Sequence, residues 1–221
     1  MRPVLDLRLY GVLDPTRCRG RDPVALAAAA AAGGITLLQL RDKNSATREL
    51  VSLARSVGRA LAAYEVPLLI NDRIDVAMAA GAQGAHVGNS DMSPDDARRL
   101  LGPAALLGVT IHHSHEAALV QPGVADYAGL GPVYPTASKD PGDLPLGPDG
   151  LARLITAVRR HLPALPVCGI AGIDSANAAA VIDAGADGVA VIADIFMAED
   201  VTVAARRLRD AVDAALARRR A

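Results

Sequence analysis

The sequence predicts a closed (β/α)8 barrel formed by one domain. Short runs rich in Leu, Ile and Val alternate with longer, Ala-rich amphipathic runs, and each kind occurs eight times in 221 residues. One strand and one helix together take about 28 residues, close to the size of a single βα unit. Apolar strands joined by helices form parallel sheets that are buried on both faces. No linker or change in composition divides the chain, so we assign residues 1–221 to one barrel domain.

An open, doubly wound sheet is the alternative arrangement of such units. Its usual Gly-x-Gly-x-x-Gly turn does not follow the first predicted strand, and this weakens the alternative. A short Ala-Gly turn instead recurs before strands, at Ala32-Gly33, Ala80-Gly81 and Ala184-Gly185. The recurrence indicates one unit repeated around a ring.

The predicted strands are runs of four to seven residues, most of them apolar. Helix-forming runs separate them, and this spacing favours parallel pairing over hairpins. The strands are Leu7–Leu13, Ile35–Arg41, Pro67–Asn71, Gly84–Val87, Ala105–Thr110, Asp126–Gly131, Pro166–Ile170 and Gly188–Ile192.

The predicted helices carry start and stop signals. A capping residue followed by proline begins two of them, at Asp22-Pro23 and Ser93-Pro94. Glycine follows or ends three, at Gly33, Gly81 and Gly185. The helices are Pro23–Ala32, Ala46–Tyr64, Ile74–Ala80, Pro94–Leu101, Ser114–Val120, Asp149–His161, Ser175–Ala184 and Val201–Ala217.

Charge and composition argue against several functional classes. The net charge is −1, and one Phe and four Tyr offer few rings for stacking bases, so we expect no nucleic-acid partner. The apolar run Ala25–Ala32 is far shorter than the roughly 20 residues that cross a membrane, and no secretory signal opens the chain. Cys18 and Cys168 lie far apart and form no disulfide framework. We expect a soluble, cytoplasmic protein that acts on small molecules; the sequence does not choose an oligomeric state.

Two aspartates predict a magnesium site. Functional side chains of such barrels follow the carboxyl ends of the strands, where Asp72 follows the third predicted strand and Asp91 the fourth. Neighbouring strands are about 4.8 Å apart, so both carboxylates can reach one ion. Two carboxylates with water and substrate phosphates form a typical Mg2+ site. The alternative is that each aspartate caps a helix.

The lysines strengthen this interpretation. The chain has 21 Arg but only two Lys, Lys43 and Lys139, and both fall on the expected active rim of the barrel. Arg41 can bind phosphate with two parallel hydrogen bonds, and an ammonium group adds a compact charge. The aspartates and these cations together indicate a site for a metal-bound diphosphate.

A second anion site is expected on the opposite side of the rim. The segment Gly169–Asp174 forms a glycine-containing turn after the seventh strand, next to the end of the eighth strand. Backbone N–H groups in this part of a barrel commonly bind phosphate. Two anion sites predict two phosphorylated substrates, or one substrate with two phosphates.

Several other residues could be taken for metal ligands or reactive groups, but they have simpler interpretations. His112, His113 and His115 match no zinc-site spacing, and no cysteine lies near them. We interpret His86 as a rim or core histidine, and Cys168 as a small buried residue of the seventh strand.

Five motifs occur in a fixed order along the chain. They are Gln39–Lys43 (QLRDK), Leu69–Arg73 (LINDR), His86–Asp91 (HVGNSD), Gly131–Lys139 (GPVYPTASK) and Ala184–Val191 (AGADGVAV). Together they resemble the thiamine-phosphate synthases over nearly the whole chain, from about Tyr10 to Ile195. Each motif is weak alone, whereas five in order at matching spacing are specific.

The resemblance implies a (β/α)8 barrel that joins an aminopyrimidine methyl diphosphate to a thiazole phosphate and releases pyrophosphate. The diphosphate substrate would be bound by Gln39, Arg41, Lys43, Asn71, Thr110 and Lys139. Mg2+ would be bound by Asp72 and Asp91. The thiazole phosphate would be bound by Thr136, Ser138, Gly172, Ile192 and Ala193. The catalytic residues would be Arg41, Lys43, Thr110 and Lys139, and the reaction requires no protein nucleophile.

The sequence departs from the family pattern mainly on the thiazole side. Ala171 stands where the family has the first glycine of a Gly-Gly pair, and Ala193 stands where a serine is common, with Asp194 next to it. An acidic side chain near a phosphate site is unfavourable unless it points away. The diphosphate motifs are intact, with Thr110 in place of a common serine.

Three other functions use the same kind of barrel. A thiazole tautomerase, which is an isomerase, needs neither Mg2+ nor a diphosphate site, and this chain keeps Asp72, Asp91, Lys43 and Lys139. A non-catalytic sensor of phosphorylated ligands would need a partner surface or an effector domain. A phosphosugar epimerase would not need the five motifs.

Overall fold

The computed structural model describes residues 3–136 and 144–220 and forms a closed eight-stranded parallel barrel. Each strand pairs with the next along the chain, and the last pairs with the first, with Leu9 opposite Val189. The predicted fold class is therefore confirmed. The strands are β1 (Leu9–Leu13), β2 (Leu37–Leu40), β3 (Leu68–Asn71), β4 (Gly84–Val87), β5 (Leu106–Ile111), β6 (Tyr127–Leu130), β7 (Val167–Ile170) and β8 (Gly188–Val191).

Helices surround the barrel and connect the strands. The predicted caps form at Asp22, which accepts from Val24 N at 2.9 Å, and at Ser93, which accepts from Asp96 N at 3.2 Å. The helices are α1 (Pro23–Gly33), α2 (Thr47–Ala62), α3 (Ile74–Ala80), α4 (Pro94–Leu101), α5 (Ser114–Ala117), α6 (Gly147–His161), α7 (Ala178–Asp183), α8 (Ala193–Phe196) and α9 (Val201–Arg220). Within the described residues, no helix is long and apolar enough to cross a membrane.

The sequence-based prediction of eight helices was incomplete. The described chain has a ninth α-helix, α8, and a 3-10 turn at Pro15–Arg17. Both elements are too short to show a helical repeat, and only Ile192 separates α8 from β8. The end of α1 also differs from the prediction, because Gly33 stays helical and Gly34, with φ of 104°, takes the left-handed conformation.

Two apolar cores hold the barrel together. The larger core lies between the strands and the surrounding helices, and the smaller one fills the barrel interior. Cys168 belongs to the interior core and is fully buried, which confirms its predicted place. The interior core is lined by Leu7, Tyr10, Val12, Leu37, Leu69, Leu106, Tyr127, Cys168 and Ala190.

The amino-terminal end of the barrel is held by side chains that accept hydrogen bonds from strand N–H groups. Gln83 Oε1 accepts from Leu68 N at 2.9 Å, and Asp187 Oδ2 accepts from Val167 N at 3.0 Å. Asp126 Oδ2 accepts from Leu107 N and from Arg98 Nη2, both at 2.7 Å. Polar groups at this end are therefore committed to structure, which leaves the opposite end for binding.

We expect the substitution Asp126→Ala to destabilise the fold strongly. It leaves the Leu107 N–H group and part of the Arg98 guanidinium without an acceptor in a buried position, which costs about 2–3 kcal/mol. Urea denaturation monitored by circular dichroism measures the free energy of unfolding. Asp210→Ala, on the exposed side of α9, is the matched control and should change that value by less than about 0.5 kcal/mol. Equal stability of the two variants would contradict this role of Asp126.

Candidate active site

A pocket opens at the carboxyl-terminal end of the barrel, and residues from all eight strands or the loops after them line it. Eight of the residues that the sequence assigned to substrate binding are part of its wall, and they come from both predicted anion sites. They are Gln39, Arg41, Asn71, Thr110, Thr136, Gly172, Ile192 and Ala193. Lys43, Asp72 and Asp91 are not part of the wall. Ser138 and Lys139 lie outside the described residues.

Arg41 is held in place by a buried carboxylate. It follows β2, and its Nη1 donates to Asp14 Oδ2 at 2.7 Å. The other oxygen of Asp14 accepts from Thr16 N at 3.0 Å, and only 4% of Asp14 is exposed. Asp14 therefore orients the guanidinium and balances its charge. Sequence analysis missed Asp14, although Asp14-Pro15 repeats the capping pattern of Asp22-Pro23.

Asp72 and Asp91 face each other at the edge of the pocket. Burial, and after it the neighbouring Asp91 carboxylate, raise the pKa of Asp72, whereas Lys43 opposes this shift. Lys43 Nζ lies 3.3 Å from Asp72 Oδ2, and Asp91 Oδ2 accepts from Gly88 N at 2.8 Å. Two carboxylates in contact repel each other, so a cation between them is favourable.

The alternative role of these aspartates as helix caps is not what the structure shows. The cap of α3 is Arg73, and the cap of α4 is Ser93. Asp72 has a left-handed backbone with φ of 61°, which is uncommon outside glycine, and its N–H donates to His86 O at 2.8 Å. The backbone conformation thus turns Asp72 toward Lys43 and Asp91 instead of along the helix.

The opposite wall of the pocket is made of tightly turning backbone. Ala171 and Gly172 are both left-handed, with φ of 82° and 64°. A side chain at position 172 would collide with the Pro135 carbonyl and with Tyr134. Asn177 Nδ2 donates to the Gly172 carbonyl at 2.9 Å and holds this turn. The wall therefore presents main chain rather than charged side chains to a ligand.

Asp194 does not place its carboxylate in this wall of the pocket. Ala193 lines the pocket, whereas Asp194 Oδ1 lies 3.4 Å from Arg207 Nη2 on α9. The acidic side chain is thus drawn toward a helix behind the pocket. Asp194 is not part of the pocket wall, and its other oxygen, Oδ2, is buried with no hydrogen-bond partner among the described residues.

His86 is a core histidine with two hydrogen bonds. Only 8% of it is exposed; Nδ1 lies 2.9 Å from the Tyr127 hydroxyl, and Nε2 lies 2.8 Å from Thr110 Oγ1. The prediction of a rim or core position is therefore confirmed, with the addition that His86 supports a pocket residue.

The cluster of three histidines forms the start of α5. The rings of His113 and His115 stack with centroids 5.6 Å apart, and Glu116 Oε2 accepts from His112 N at 2.6 Å and His113 N at 3.1 Å. Among the described residues, no group of three or more His, Cys, Asp or Glu side chains is arranged so that it could hold a metal ion. His112 also lines the pocket.

The fold and the pocket define a (β/α)8-barrel enzyme with cationic and carboxylate groups at the carboxyl ends of its strands. A family model described as thiamine monophosphate synthase matches residues 9–195. The chain therefore belongs to the thiamine monophosphate synthase family, which confirms the resemblance carried by the motifs, and it is a transferase that synthesises thiamine phosphate.

Individual relatives match along nearly their whole length. The thiamine-phosphate synthase of Agrobacterium fabrum is 44% identical over 212 residues, covering 96% of this chain and 96% of the relative. That of Chloroflexus aurantiacus is 44% identical over 206 residues, 93% of each chain. The solved thiamine phosphate pyrophosphorylase of Pyrococcus furiosus has a TM-score of 0.82 at 32% identity, covering 95% of this chain and 97% of that chain.

We expect both cysteine thiols to be unreactive in the folded protein. Cys18 and Cys168 are fully buried, and burial raises the pKa of Cys168 to about 12. At about pH 8 the reactive thiolate of such a group is scarce. An aromatic disulfide reagent followed by absorbance should release no thiolate from native protein. The same protein in denaturant is the control and should release two equivalents; a rapidly reacting thiol in native protein would contradict the buried placement.

Proposed function

We propose that this chain transfers the aminopyrimidine methyl group from its diphosphate to the nitrogen of a thiazole phosphate, and that the two walls of the pocket divide the substrates between them. The observation that carries this proposal is the separation of charge within one cavity. Arg41 lines one side of the cavity, with the Lys43–Asp72–Asp91 group next to that side but outside the lining, and the backbone turn at Gly172 lines the other side.

The diphosphate substrate belongs on the charged side. Gln39 and Asn71 offer amide groups for the pyrimidine ring, and Thr110 offers a hydroxyl for the diphosphate. Arg41 and Lys43 supply positive charge for the diphosphate, and Lys139, outside the described residues, is proposed to join them. These groups can hold the diphosphate while leaving the reacting methylene carbon open to the cavity.

The carboxylates Asp72 and Asp91 fit a divalent cation. A positive ion would offset the repulsion between the two carboxylates and the cost of partly burying the charge of Asp72. Mg2+ prefers oxygen donors such as these. Since two carboxylates are fewer ligands than Mg2+ takes, water and diphosphate oxygens are proposed to complete its shell. When bound, Mg2+ would neutralise charge that develops on the departing pyrophosphate.

The thiazole phosphate belongs on the backbone side. Thr136, Gly172, Ile192 and Ala193 line this wall, and Ser138, outside the described residues, is proposed to complete it. The turn at Gly172 offers main-chain N–H groups, which bind phosphate without a charged side chain. Binding there would hold the thiazole nitrogen toward the methylene carbon.

The reaction then follows from charge stabilisation and position. The bond between the methylene carbon and the diphosphate oxygen breaks, and pyrophosphate leaves with the electron pair. The amino group of the pyrimidine stabilises the resulting cation, and the thiazole nitrogen forms the new carbon–nitrogen bond. Arg41 and Lys43 stabilise the leaving group, and the two walls keep the reactants in line. No side chain forms a covalent bond with substrate.

The direct test is product formation by the purified protein. Aminopyrimidine methyl diphosphate, thiazole phosphate and Mg2+ are mixed with the protein, and thiamine phosphate is measured as its fluorescent oxidation product. We expect product that disappears when a chelator is added. Absence of product, with the pyrimidine diphosphate still bound, would overturn the proposed acceptor.

We expect Asp72→Asn to lower turnover by about 100-fold or more, because it removes one of two charged ligands for Mg2+. Asp75→Asn is the matched control, since Asp75 lies three residues further on, is exposed and pairs with Arg73. Its turnover should stay within about twofold of the unsubstituted protein. Mn2+ binding followed by electron paramagnetic resonance should weaken in the first variant only. Normal metal binding by Asp72→Asn would contradict the assignment.

We expect Asp14→Asn to raise the KM for the pyrimidine diphosphate by about tenfold, because a charge-assisted hydrogen bond that orients Arg41 is lost. Thr16→Ala is the control, since it removes a contact to the same carboxylate but leaves the pair with Arg41. The KM for the thiazole phosphate should not change in either variant. Equal kinetics for the two variants would contradict the positioning role of Asp14.

A further inference from the structure

A chain of buried side-chain hydrogen bonds crosses the barrel interior beneath the pocket. The Gln39 amide nitrogen donates to the Tyr10 hydroxyl, which lies 2.7 Å from the Tyr127 hydroxyl. The Tyr127 hydroxyl lies 2.9 Å from His86 Nδ1, and His86 Nε2 lies 2.8 Å from Thr110 Oγ1. Four consecutive hydrogen bonds therefore join β2 to β5 through the centre of the molecule.

The direction of the chain follows from its first bond. Because the Gln39 nitrogen donates to Tyr10, the Tyr10 proton is available to Tyr127, and the Tyr127 proton is available to His86 Nδ1. An imidazole that accepts at Nδ1 carries its proton on Nε2 and donates it to the Thr110 oxygen. The Thr110 hydroxyl proton is then left to point into the pocket, where Thr110 lies.

The two tyrosines are suited to this role. Tyr10 and Tyr127 are 1% and 0% exposed, and their rings pack edge to face with centroids 5.6 Å apart. Burial raises the pKa of both hydroxyls, so each keeps its proton and can donate and accept at once. A buried hydroxyl that lacked such a partner would be costly.

The barrel makes room for the chain at one glycine. Gly108 on β5 lies between His86 on β4 and Tyr127 on β6 in the strand register. A side chain at position 108 would overlap the Tyr127 hydroxyl and the His86 ring. β5 therefore has no side chain at position 108, and this leaves space for His86 and Tyr127 to contact each other across the strand.

We propose that Tyr10, Tyr127 and His86 are positioning residues that couple the Gln39 amide to the Thr110 hydroxyl, both of which line the pocket, through this directed hydrogen-bond chain. The inference rests on the proposed function, in which Gln39 binds the pyrimidine and Thr110 binds the diphosphate. When a diphosphate oxygen accepts the proton of the Thr110 hydroxyl, it stabilises one direction of the hydrogen-bond chain. In that direction the Gln39 nitrogen donates to Tyr10 and the Gln39 oxygen faces the pocket. That oxygen is the acceptor that the amino group of the pyrimidine needs, so the two halves of one substrate reinforce each other's binding.

The coupling is measured with the two halves as separate probes. Calorimetry gives the affinity of the pyrimidine methyl alcohol with and without saturating inorganic pyrophosphate and Mg2+. In the unsubstituted protein we expect pyrophosphate to strengthen pyrimidine binding by about fivefold or more. Tyr127→Phe keeps the aromatic ring but breaks the hydrogen-bond chain, and it should remove most of the increase in pyrimidine affinity that pyrophosphate causes. Tyr64→Phe, at an exposed tyrosine two residues after the end of α2, is the matched control and should retain the increase in affinity.

Kinetics separate positioning from packing. Tyr127→Phe should lower kcat/KM for the pyrimidine diphosphate by about tenfold and leave the KM of the thiazole phosphate unchanged. Tyr10→Phe breaks the same chain one bond away and should give the same pattern, so the test survives if one variant folds poorly. The double variant should cost little more than either single variant. Additive losses, or an unchanged coupling factor in Tyr127→Phe, would overturn the proposal.

A spectroscopic measurement tests the chain without ligand. In protein labelled with 15N at histidine, we expect His86 to show an accepting Nδ1 and a protonated Nε2, and the Nδ1 signal to shift in Tyr127→Phe but not in Tyr64→Phe. The opposite tautomer in unsubstituted protein would overturn the direction of the chain. Because this signal does not depend on substrate, failure of the chain is distinguished from failure of the proposed function.

Discussion

Closure of the parallel barrel is the constraint on which the other features depend. Once β8 pairs with β1, every strand has two neighbours, and the carboxyl ends of all eight strands meet in one ring. The two ends of the barrel then differ in use. At one end, Gln83, Asp126 and Asp187 satisfy strand N–H groups. At the other end, the loops are free of this task and can present side chains to a ligand.

Charge is divided between structure and site in a protein that is nearly neutral overall. Many arginines serve structure: Arg98, Arg209 and Arg219 donate to carbonyl oxygens where helices or turns end. Their planar forks suit this task because several donors lie in one plane. Lys43, by contrast, lies at the rim beside Asp72. The scarcity of lysine helped to locate the site, because many of the more frequent arginines have structural roles.

The sequence predicted the fold class, all eight strands and eight of the residues that line the pocket, because each has a local signal. Strand position follows from runs of apolar residues, and the site follows from motifs at strand ends. The prediction failed for α8 and for Asp14. The helix has only four residues, too few for a repeat, and Asp14 acts through Arg41, which is 27 positions away in the chain. Contacts between distant strands have no signature in a single sequence.

The hydrogen-bond chain beneath the pocket also depends on contacts between distant strands, so the sequence alone does not reveal it. Tyr10, His86 and Tyr127 each sit in a short apolar strand and look like ordinary core residues one at a time. Only the strand register places His86, Gly108 and Tyr127 at one level, and only barrel closure brings Tyr10 within reach of Tyr127. A barrel core filled entirely by aliphatic side chains would support the rim mechanically. A core with four linked polar contacts also fixes which groups at the rim donate and which accept, and in the proposed function this property orients the pyrimidine above it.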